Sequence, residues 1–430
     1  MAATQEKYRE ASFDGAAGVV WSRNSWTIPP RPSTTPPPAE EGSLKVTAMV
    51  VSPTMKIRYS RTSRPLILAI FLLVSIGCIT IAAPPVPTQL TDEQFWQLSS
   101  SSSENDGVFR SDNLLSNELN FQYVIPDLLK IAQPGRVYMG VGPEQNFSYI
   151  AALKPSMAFI VDIRHGNLDV HLMYKALFEM SANRAEFVSR LFSRKQPAGL
   201  SASSTAAELF TAYLGVDPSK ELYEANLKAV IDHLKTNHKF PLSEGDLDGI
   251  EWAMSNYYRF GPSIGYNSSD PNFAPAIVGA TGNGRGGGGR GGNFVGYADL
   301  MMATDAVGKE RGYLANEENF MVLKNLETKN LLVPVVGNFG GPKAIRAVGK
   351  YLRDNGAMVS TFYLSNVEQY LDMDGLIGAF MANVATLPID DSSRFISTGA
   401  GNRGFGGGGN GMNNSMLRPM FDETRPYVGK

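Results

Sequence analysis

Short apolar runs alternate along this sequence with stretches whose apolar residues recur at helical spacing. Between residues 136 and 166 the order is an apolar run at 137–139, a glycine-containing turn at 140–142, a helical pattern at 144–153 and an apolar run at 157–161 that ends on Asp162. Buried strands of parallel sheets read as apolar runs, whereas helices place apolar residues three or four positions apart. The pattern therefore predicts a βαβ unit.

A second unit of the same kind follows later in the chain. It consists of a helical pattern at 317–329, an apolar run at 331–336, a glycine-rich turn at 337–341, a helical pattern at 343–355 and an apolar run at 358–364. Pro342 near the start of the last helix and Gly356 after its end are typical helix-boundary residues. One more strand is predicted at 394–398. We expect an α/β protein with a Rossmann-like, open and mainly parallel sheet.

Only helical patterns lie between the two units. They occur at 167–181, 184–194, 206–214, 220–238 and 242–258. Residues 184–260 are therefore interpreted as a helical insertion in the α/β domain. The segment 266–296 is rich in glycine, and it is predicted to be a flexible surface loop.

The two ends of the chain differ in composition from the α/β domain, which we assign to residues 116–400. Residues 1–54 are rich in proline, serine and threonine, and such a composition buries too little apolar surface to fold. They are predicted to be a disordered tail, unless the natural start is Met49 or Met55. The remaining segments are a linker at 84–115 and a flexible, glycine-rich tail at 401–430.

A basic stretch precedes an apolar span near the start of the chain. Four basic residues between Lys56 and Arg64 are followed by eighteen residues without a charge. This pattern is typical of a cleaved signal peptide or an uncleaved signal anchor, which we assign to residues 65–83. Because a positive flank stays in the cytoplasm, the following domain is predicted to be extracytoplasmic, either exported or anchored in the membrane by this span.

Composition limits the kinds of site that the chain can form. The net charge of −2 gives no general attraction to nucleic acid. The single cysteine excludes a disulfide framework and a cysteine metal site within one chain. The histidines lack HExxH-type spacing: they are His165, His171, His233 and His238. We therefore predict no metal site and no nucleic-acid partner.

The predicted binding residues gather where strands end. Glycines in the first turn let the backbone approach a ligand, and the helix that follows presents free N–H groups. Asp162 lies 20 residues after the second glycine, where a second strand would deliver a carboxylate to ribose hydroxyls. Asn338 ends a strand at the same edge. The candidate cofactor-binding residues are Gly140, Gly142, Pro143, Glu144, Gln145, Asp162 and Asn338.

A plain structural alternative exists for this turn. Pro143-Glu144 follows Gly142, so the third glycine of the dinucleotide-binding fingerprint is missing. Without a ligand, the segment would be an ordinary tight turn between a strand and a helix. Asp162 would then cap the next helix or pair with Arg164.

Several long segments carry a resemblance to a protein family. They are GVGPEQNFSYIAALKPSMAFIVDIR, FVSRLFSRK, VPVVGNFGGPKAIRAVGKYL and FYLSNVEQYL. Across about Glu93 to Leu371, interrupted by the glycine-rich segment, the sequence resembles an uncharacterised family of mostly bacterial proteins. That family is described as having the fold of class I S-adenosylmethionine-dependent methyltransferases. The resemblance implies that Gly140 and Gly142 lie beside the cofactor's methionine end and that Asp162 holds its ribose.

The function implied by the resemblance is methyl transfer from S-adenosylmethionine to an acceptor that the sequence does not identify. Asn338 or Glu368 would orient that acceptor. One alternative is a non-catalytic extracytoplasmic binding protein that retains the fold, because an exported domain has no evident supply of this cofactor. An NAD-dependent oxidoreductase is less well supported, since the fingerprint glycine and a catalytic Tyr-xxx-Lys are both missing.

Overall fold

The computed structural model describes residues 86–109, 112–266, 268, 295–398 and 415–429. The predicted tail at 1–54, the apolar span at 65–83 and most of the glycine-rich loop at 266–296 lie outside these described residues.

A six-stranded sheet forms the centre of the described part of the chain. The strands are β1 (Val137–Gly140), β2 (Met157–Asp162), β3 (Leu332–Val336), β4 (Val359–Ser365), β5 (Arg394–Thr398) and β6 (Ser415–Pro419). Their order is β3-β2-β1-β4-β5-β6, and all neighbouring strands are parallel except β5 and β6. The predicted α/β class and mainly parallel sheet are confirmed, and the strand order, which is that of doubly wound sheets, is compatible with a Rossmann-like fold.

The α-helices of the described residues connect and cover these strands. They are α1 (Asp92–Ser102), α2 (Ile125–Ile131), α3 (Gln145–Leu153), α4 (His165–Met180), α5 (Arg184–Phe192), α6 (Ala206–Leu214), α7 (Lys220–Asp232), α8 (Glu244–Phe260), α9 (Tyr297–Met302), α10 (Glu317–Thr328), α11 (Ala344–Asp354), α12 (Val367–Met373), α13 (Ile377–Val384) and α14 (Met420–Thr424).

The register of the sheet brings the ends of the strands to one edge. Every residue of β1, β2 and β3 is buried, as expected for parallel strands covered on both faces. Gly140 at the end of β1 pairs with Ile160, and Asp162 at the end of β2 pairs with Val336 at the end of β3. The residues that follow these strands therefore meet at the carboxyl edge of the sheet.

A helical layer occupies the connection between β2 and β3. Helices α4 to α10 all lie in this connection, which contains the predicted insertion at 184–260. Aromatic rings fill its junction with α3, and ring centroids 4.6–5.7 Å apart link Phe147 to Phe178, Phe178 to Phe187 and Phe187 to Phe320. Pairs at this separation add to the stabilisation from apolar burial.

The segment interpreted as a linker contains an ordered helix. Thr91 and Gln94 form a capping box at the start of α1, which places buried Phe95 and Leu98 against the core next to β3. Residues 103–109, which we call the strap, then cross the carboxyl edge. The amide of Glu104 donates to the carbonyl of Val336 at 2.8 Å, and that of Gly107 to the carbonyl of Ile163 at 2.9 Å.

The C-terminal segment also differs from the expected flexible tail. Within residues 401–430, the described part forms β6 and α14. Strand β6 pairs along its whole length with β5, from Ser415 opposite Thr398 to Pro419 opposite Arg394. A pairing between residues separated by a glycine-rich stretch has no local sequence signal.

The prediction of membrane anchoring is corrected. Within the described ranges, no helix combines the length and the apolar character needed to cross a bilayer. The span at 65–83 from which anchoring was predicted lies outside those ranges.

Candidate functional site

A pocket with a volume of about 330 Å³ opens at the carboxyl edge of the sheet. Residues that follow β1, β2, β3 and β4 line it, and the strap and α12 supply further walls. Ligands of open α/β sheets bind at this edge, and the volume falls within the range of small-molecule sites. The structure brings together five of the seven predicted residues here: Gly142, Pro143, Gln145, Asp162 and Asn338.

Asn146 holds the turn between β1 and α3. Its Nδ2 donates to the three backbone carbonyls of residues 141–143 at 2.7–3.1 Å. Its Oδ1 accepts a hydrogen bond from the hydroxyl of Tyr138 at 2.9 Å. Gly142 has a φ of 74°, in the left-handed region that favours glycine. Asn146 therefore fixes the course of the turn from inside the fold.

Gly140 and His171 lie outside the pocket lining and contact the groups that hold the turn. A Cβ atom on Gly140 would overlap the side-chain oxygen of Asn146, so this position requires a glycine. The Nε2 atom of His171 donates to the carbonyl of Gly142 at 3.0 Å. Burial lowers the pKa of His171 to about 4. The ring is therefore neutral near pH 7, with its proton on the nitrogen that faces the turn.

Glu144 and Gln145 have different positions although they are adjacent. Glu144 is buried outside the pocket lining, and the amide of Ser116 donates to its Oε1 at 3.3 Å. Burial raises the pKa of Glu144 to about 8. Gln145 lines the pocket, and its Nε2 donates to Glu118 Oε2 at 2.9 Å. Only the second of these two predicted residues is placed to contact a ligand.

Glu118 connects the first turn to the end of β4. It accepts hydrogen bonds from the hydroxyl of Tyr363 at 3.0 Å and from Oγ of Ser365, in addition to Gln145. Burial raises the pKa of Glu118, and these donors oppose that rise. Ser365 has a φ of 50°, an uncommon conformation for a residue with a side chain. Backbone strain of this kind is often found at functional sites.

Asp162 forms a buried ion pair with Arg164. Its Oδ1 accepts from the backbone amide and Nε of Arg164 at 2.9 and 3.1 Å, and its Oδ2 accepts from Nη2 at 3.1 Å. Arg164 Nη1 also donates to the carbonyl and Oδ1 of Asn113 at 3.3 and 3.1 Å. The pairing with Arg164 that the sequence left open is thus present, and both members line the pocket.

Asn338 is fixed by the strap. Its backbone amide donates to Glu104 Oε2 at 3.2 Å, and its own Oδ1 accepts from the amide of Gly340 at 2.9 Å. Glu104 Oε1 also accepts from the amides of Lys343 and Ala344 at the start of α11. A carboxylate at a helix N-terminus is stabilised by the free N–H groups there. The strap thereby orders the turn after β3.

Sequence reasoning missed the residues that the strap and α12 bring to the pocket. The rings of Phe109 and Tyr370 meet edge to face with centroids 4.9 Å apart. Asn113, Ser116 and Asn117 add polar groups to the lining. Phe109, Asn113, Ser116 and Asn117 carry no motif, and only the path of the strap and of the residues after it along the sheet edge could have identified them.

Glu368, which was expected to orient an acceptor, forms an ion pair in the structure. Its carboxylate pairs with Arg418 on β6, with Nη1 and Nη2 at 2.6 and 2.9 Å from its two oxygens. It therefore helps to hold the antiparallel strand.

Comparison with known families places the chain in a protein family. A domain of unknown function, DUF7790, matches residues 114–243 and 294–409, which is more than half of the chain. The chain belongs to the DUF7790 family. No curated protein matches it.

The DUF7790 match includes all the predicted site residues. The turn after β1, Asp162 and Asn338 lie within the two matched ranges, whereas α1 and the strap precede them. The family description names no activity and no cofactor.

Proposed function

We propose that this protein is a methyltransferase-like enzyme that binds S-adenosylmethionine in the carboxyl-edge pocket and transfers its methyl group to an acceptor. The observation that carries the proposal is the meeting of Gly142, Asp162 and Asn338 around one pocket. The cofactor supplies an activated methyl group when bound. The contribution of the protein to such a reaction is mainly to hold donor and acceptor in line.

The surroundings of Gly142 support a ligand that approaches the backbone. A Cβ atom at this position would stand 4.0 Å from Oδ2 of Asp162, so any side chain would enter the space between turn and carboxylate. A glycine in the left-handed conformation keeps this space open. In the proposed complex, the turn holds the methionine portion of the cofactor.

The capacity of Asp162 for hydrogen bonds supports a role in holding the ribose. Its carboxylate accepts three hydrogen bonds from Arg164, and an ionised carboxylate offers about four lone-pair sites. A ribose hydroxyl can therefore still donate to it. Arg164 fixes the orientation of the carboxylate, which lowers the entropic cost of binding.

Calorimetric titration with S-adenosylmethionine and its demethylated product tests the proposal. Asp162→Asn should weaken binding by about 10- to 100-fold, because a charge-assisted hydrogen bond contributes about 1.5–3 kcal/mol. The wild-type protein should release heat with either compound. No heat from wild type at millimolar concentration would reject the cofactor assignment.

A more exposed aspartate–arginine ion pair lies at the opposite edge of the sheet. Arg136 precedes β1, and its Nη1 and Nη2 donate to Asp390 at 2.7 and 2.6 Å. Asp390→Asn breaks an aspartate–arginine pair whose carboxylate is 42% exposed and does not line the pocket, so affinity should stay unchanged. Equal losses in Asp162→Asn and Asp390→Asn would mean that the effect comes from stability and not from ligand contact.

Gly142→Ala is expected to weaken cofactor binding by at least about tenfold. The added methyl group occupies the space beside Asp162, and the left-handed backbone costs about 1–2 kcal/mol. Gly135→Ala is the control, because Gly135 also has a φ of 74° but has no atom within 4 Å of the added Cβ. Melting curves should shift in both variants, whereas calorimetry should change only in Gly142→Ala.

A non-catalytic ligand-binding protein is the second candidate function. The observation that favours it is the engagement of both oxygens of Asp162 by Arg164. In that case the ion pair is structural, and Asp162→Asn lowers the melting temperature without a selective effect on S-adenosylmethionine. The calorimetric series above shows whether Asp162 contacts S-adenosylmethionine, and release of the demethylated product on incubation with that compound would distinguish an enzyme from a non-catalytic binding protein.

A further inference from the structure

A cluster of two histidines and one glutamate lies at the far end of α4 from the pocket. Glu179 is fourteen residues after His165, which begins α4 beside the pocket, so the two ends are roughly 20 Å apart. Helix α7 runs into a π-helical turn at His233–Asn237. His238 follows this turn, and its amide donates to the carbonyl of His233 at 3.1 Å. Turns of this rare type often occur at functional sites.

The three side chains converge through one oxygen of the glutamate. Oε2 of Glu179 lies 2.6 Å from Nε2 of His233 and 2.6 Å from Nε2 of His238. All three candidate ligand atoms lie within 4.8 Å of one another. The side chains are 8%, 18% and 12% exposed, in the order Glu179, His233 and His238. The cluster is therefore partly shielded but still reachable from solvent.

Each of these side chains also has an outer partner that fixes its orientation. Nδ1 of His238 lies 2.7 Å from Oδ1 of Asp92 on α1, which can accept its proton. Nδ1 of His233 accepts from Nδ2 of Asn237 at 3.1 Å, so metal binding through Nε2 requires the Asn237 amide to turn its Oδ1 toward Nδ1. The second oxygen of Glu179 accepts from Lys175 Nζ at 2.8 Å. Histidines that bind metals characteristically use one ring nitrogen for the ion and the other for a carboxylate or another polar partner.

We propose that Glu179, His233 and His238 form a binding site for a divalent transition metal of the zinc class. Two imidazole nitrogens and one carboxylate oxygen are a common protein ligand set for Zn²⁺, with water in the fourth position. Ligands at zinc–nitrogen and zinc–oxygen bond lengths stand roughly 3.3 Å apart in a tetrahedron. Oε2 of Glu179, which lies 2.6 Å from each histidine nitrogen, therefore needs to move away from each of them by less than about 1 Å to admit the ion.

The position of the site indicates a structural role. Glu179 belongs to α4, the histidines to the π-helical turn and the segment after it, and the outer partner Asp92 to α1. An ion bound here would cross-link α4 to the π-helical turn and the segment after it, and His238 would connect it to α1. A metal ion that binds the folded state but not the unfolded state raises the apparent stability by mass action. Metal addition should therefore raise the melting temperature.

The test uses the full chain, stripped of metal with a chelator and titrated with Zn²⁺ alone. Equilibrium dialysis with elemental analysis should give one zinc per chain at micromolar free metal, and the melting temperature should rise until the site is full. Mg²⁺ at millimolar concentration should leave the melting temperature unchanged, because it prefers oxygen ligands.

Three single variants localise the ion: Glu179→Gln, His233→Gln and His238→Gln. Each should lower zinc affinity at least tenfold. His165→Gln is the matched control, because His165 belongs to a separate group with Asp169 and Asp246. If a variant unfolds, its zinc affinity cannot be compared with that of wild type. The wild-type protein is then loaded with Co²⁺, whose visible absorption spectrum reports directly whether nitrogen ligands coordinate the ion.

Two results would overturn the proposal. One is wild-type protein that takes up no zinc at micromolar free metal, which would mean that the cluster is an ion-pair network held by Lys175 and His238. The other is loss of zinc binding in His165→Gln with retention in the three variants, which would place the ion in the other group.

Discussion

Arg184→Ala is expected to lower the free energy of unfolding by about 3–5 kcal/mol, because it removes a buried, fully bonded charge. The side chain of Arg184 is 1% exposed and pairs with Glu317 Oε1 at 3.1 Å. Its Nη1 donates to the carbonyls of Leu314 and Ala315 at 2.9 Å each, and its Nη2 donates to the carbonyl of Ser204. Alanine leaves these acceptors inside the helical layer without their donor.

The measurement is urea-induced unfolding of wild type and two variants. Arg190→Ala is the control, because Arg190 lies on the same helix α5 and pairs with Glu186 at 2.6 Å on a more exposed surface. An ion pair of this kind contributes at most about 1 kcal/mol. If both variants lower the free energy of unfolding by the same amount, Arg184 stabilises the helical layer no more than an exposed ion pair does.

The strands of the sheet were predictable because their signal is local. The apolar runs at 137–139, 157–161, 331–336 and 358–364 agree with β1 to β4 within one or two residues. A parallel strand buried on both faces needs apolar residues at nearly every position, and this requirement is visible without knowledge of its neighbours.

The elements that close the pocket were not predictable in the same way. Glu104 in the strap bonds to the amide of Ala344, which lies 240 residues away in sequence. Strand β6 likewise depends on a partner, β5, from which it is separated by a glycine-rich stretch. Contacts of this kind are set by tertiary packing, and no local pattern marks the residues that make them.

The same distinction between local and long-range signals applies to the residues of the candidate site. The carboxyl-edge positions of Gly142, Asp162 and Asn338 follow from strand ends alone, and all three line the pocket. The inward position of Glu144 depends on how Asn146 winds the turn, through three hydrogen bonds that the GxG spacing does not reveal. Motif spacing thus locates a strand end well but does not determine which side chain faces the pocket.

The inward position of Glu144 leads to a prediction about pH. Its pKa is about 8 in the folded protein against an ordinary value of 4.5, mainly because burial disfavours the charged form. Between these values the folded state binds a proton that the unfolded state has released. Stability from this group is therefore fully present below about pH 4.5 and is lost as pH rises through about 8. Burial also raises the pKa of Glu118, which acts in the same direction.

Glu144→Gln should remove this dependence, because an amide resembles the protonated carboxyl and does not ionise. The free energy of unfolding of the variant, relative to wild type, should increase between pH 5 and pH 9 by up to about 4 kcal/mol. Glu93→Gln on α1 is the control, since it makes the same chemical change at an exposed carboxyl. Chemical unfolding at several pH values gives both differences. A flat profile for Glu144→Gln would mean that solvent or a ligand reaches this carboxyl, and the pocket would then extend behind the turn that Asn146 holds.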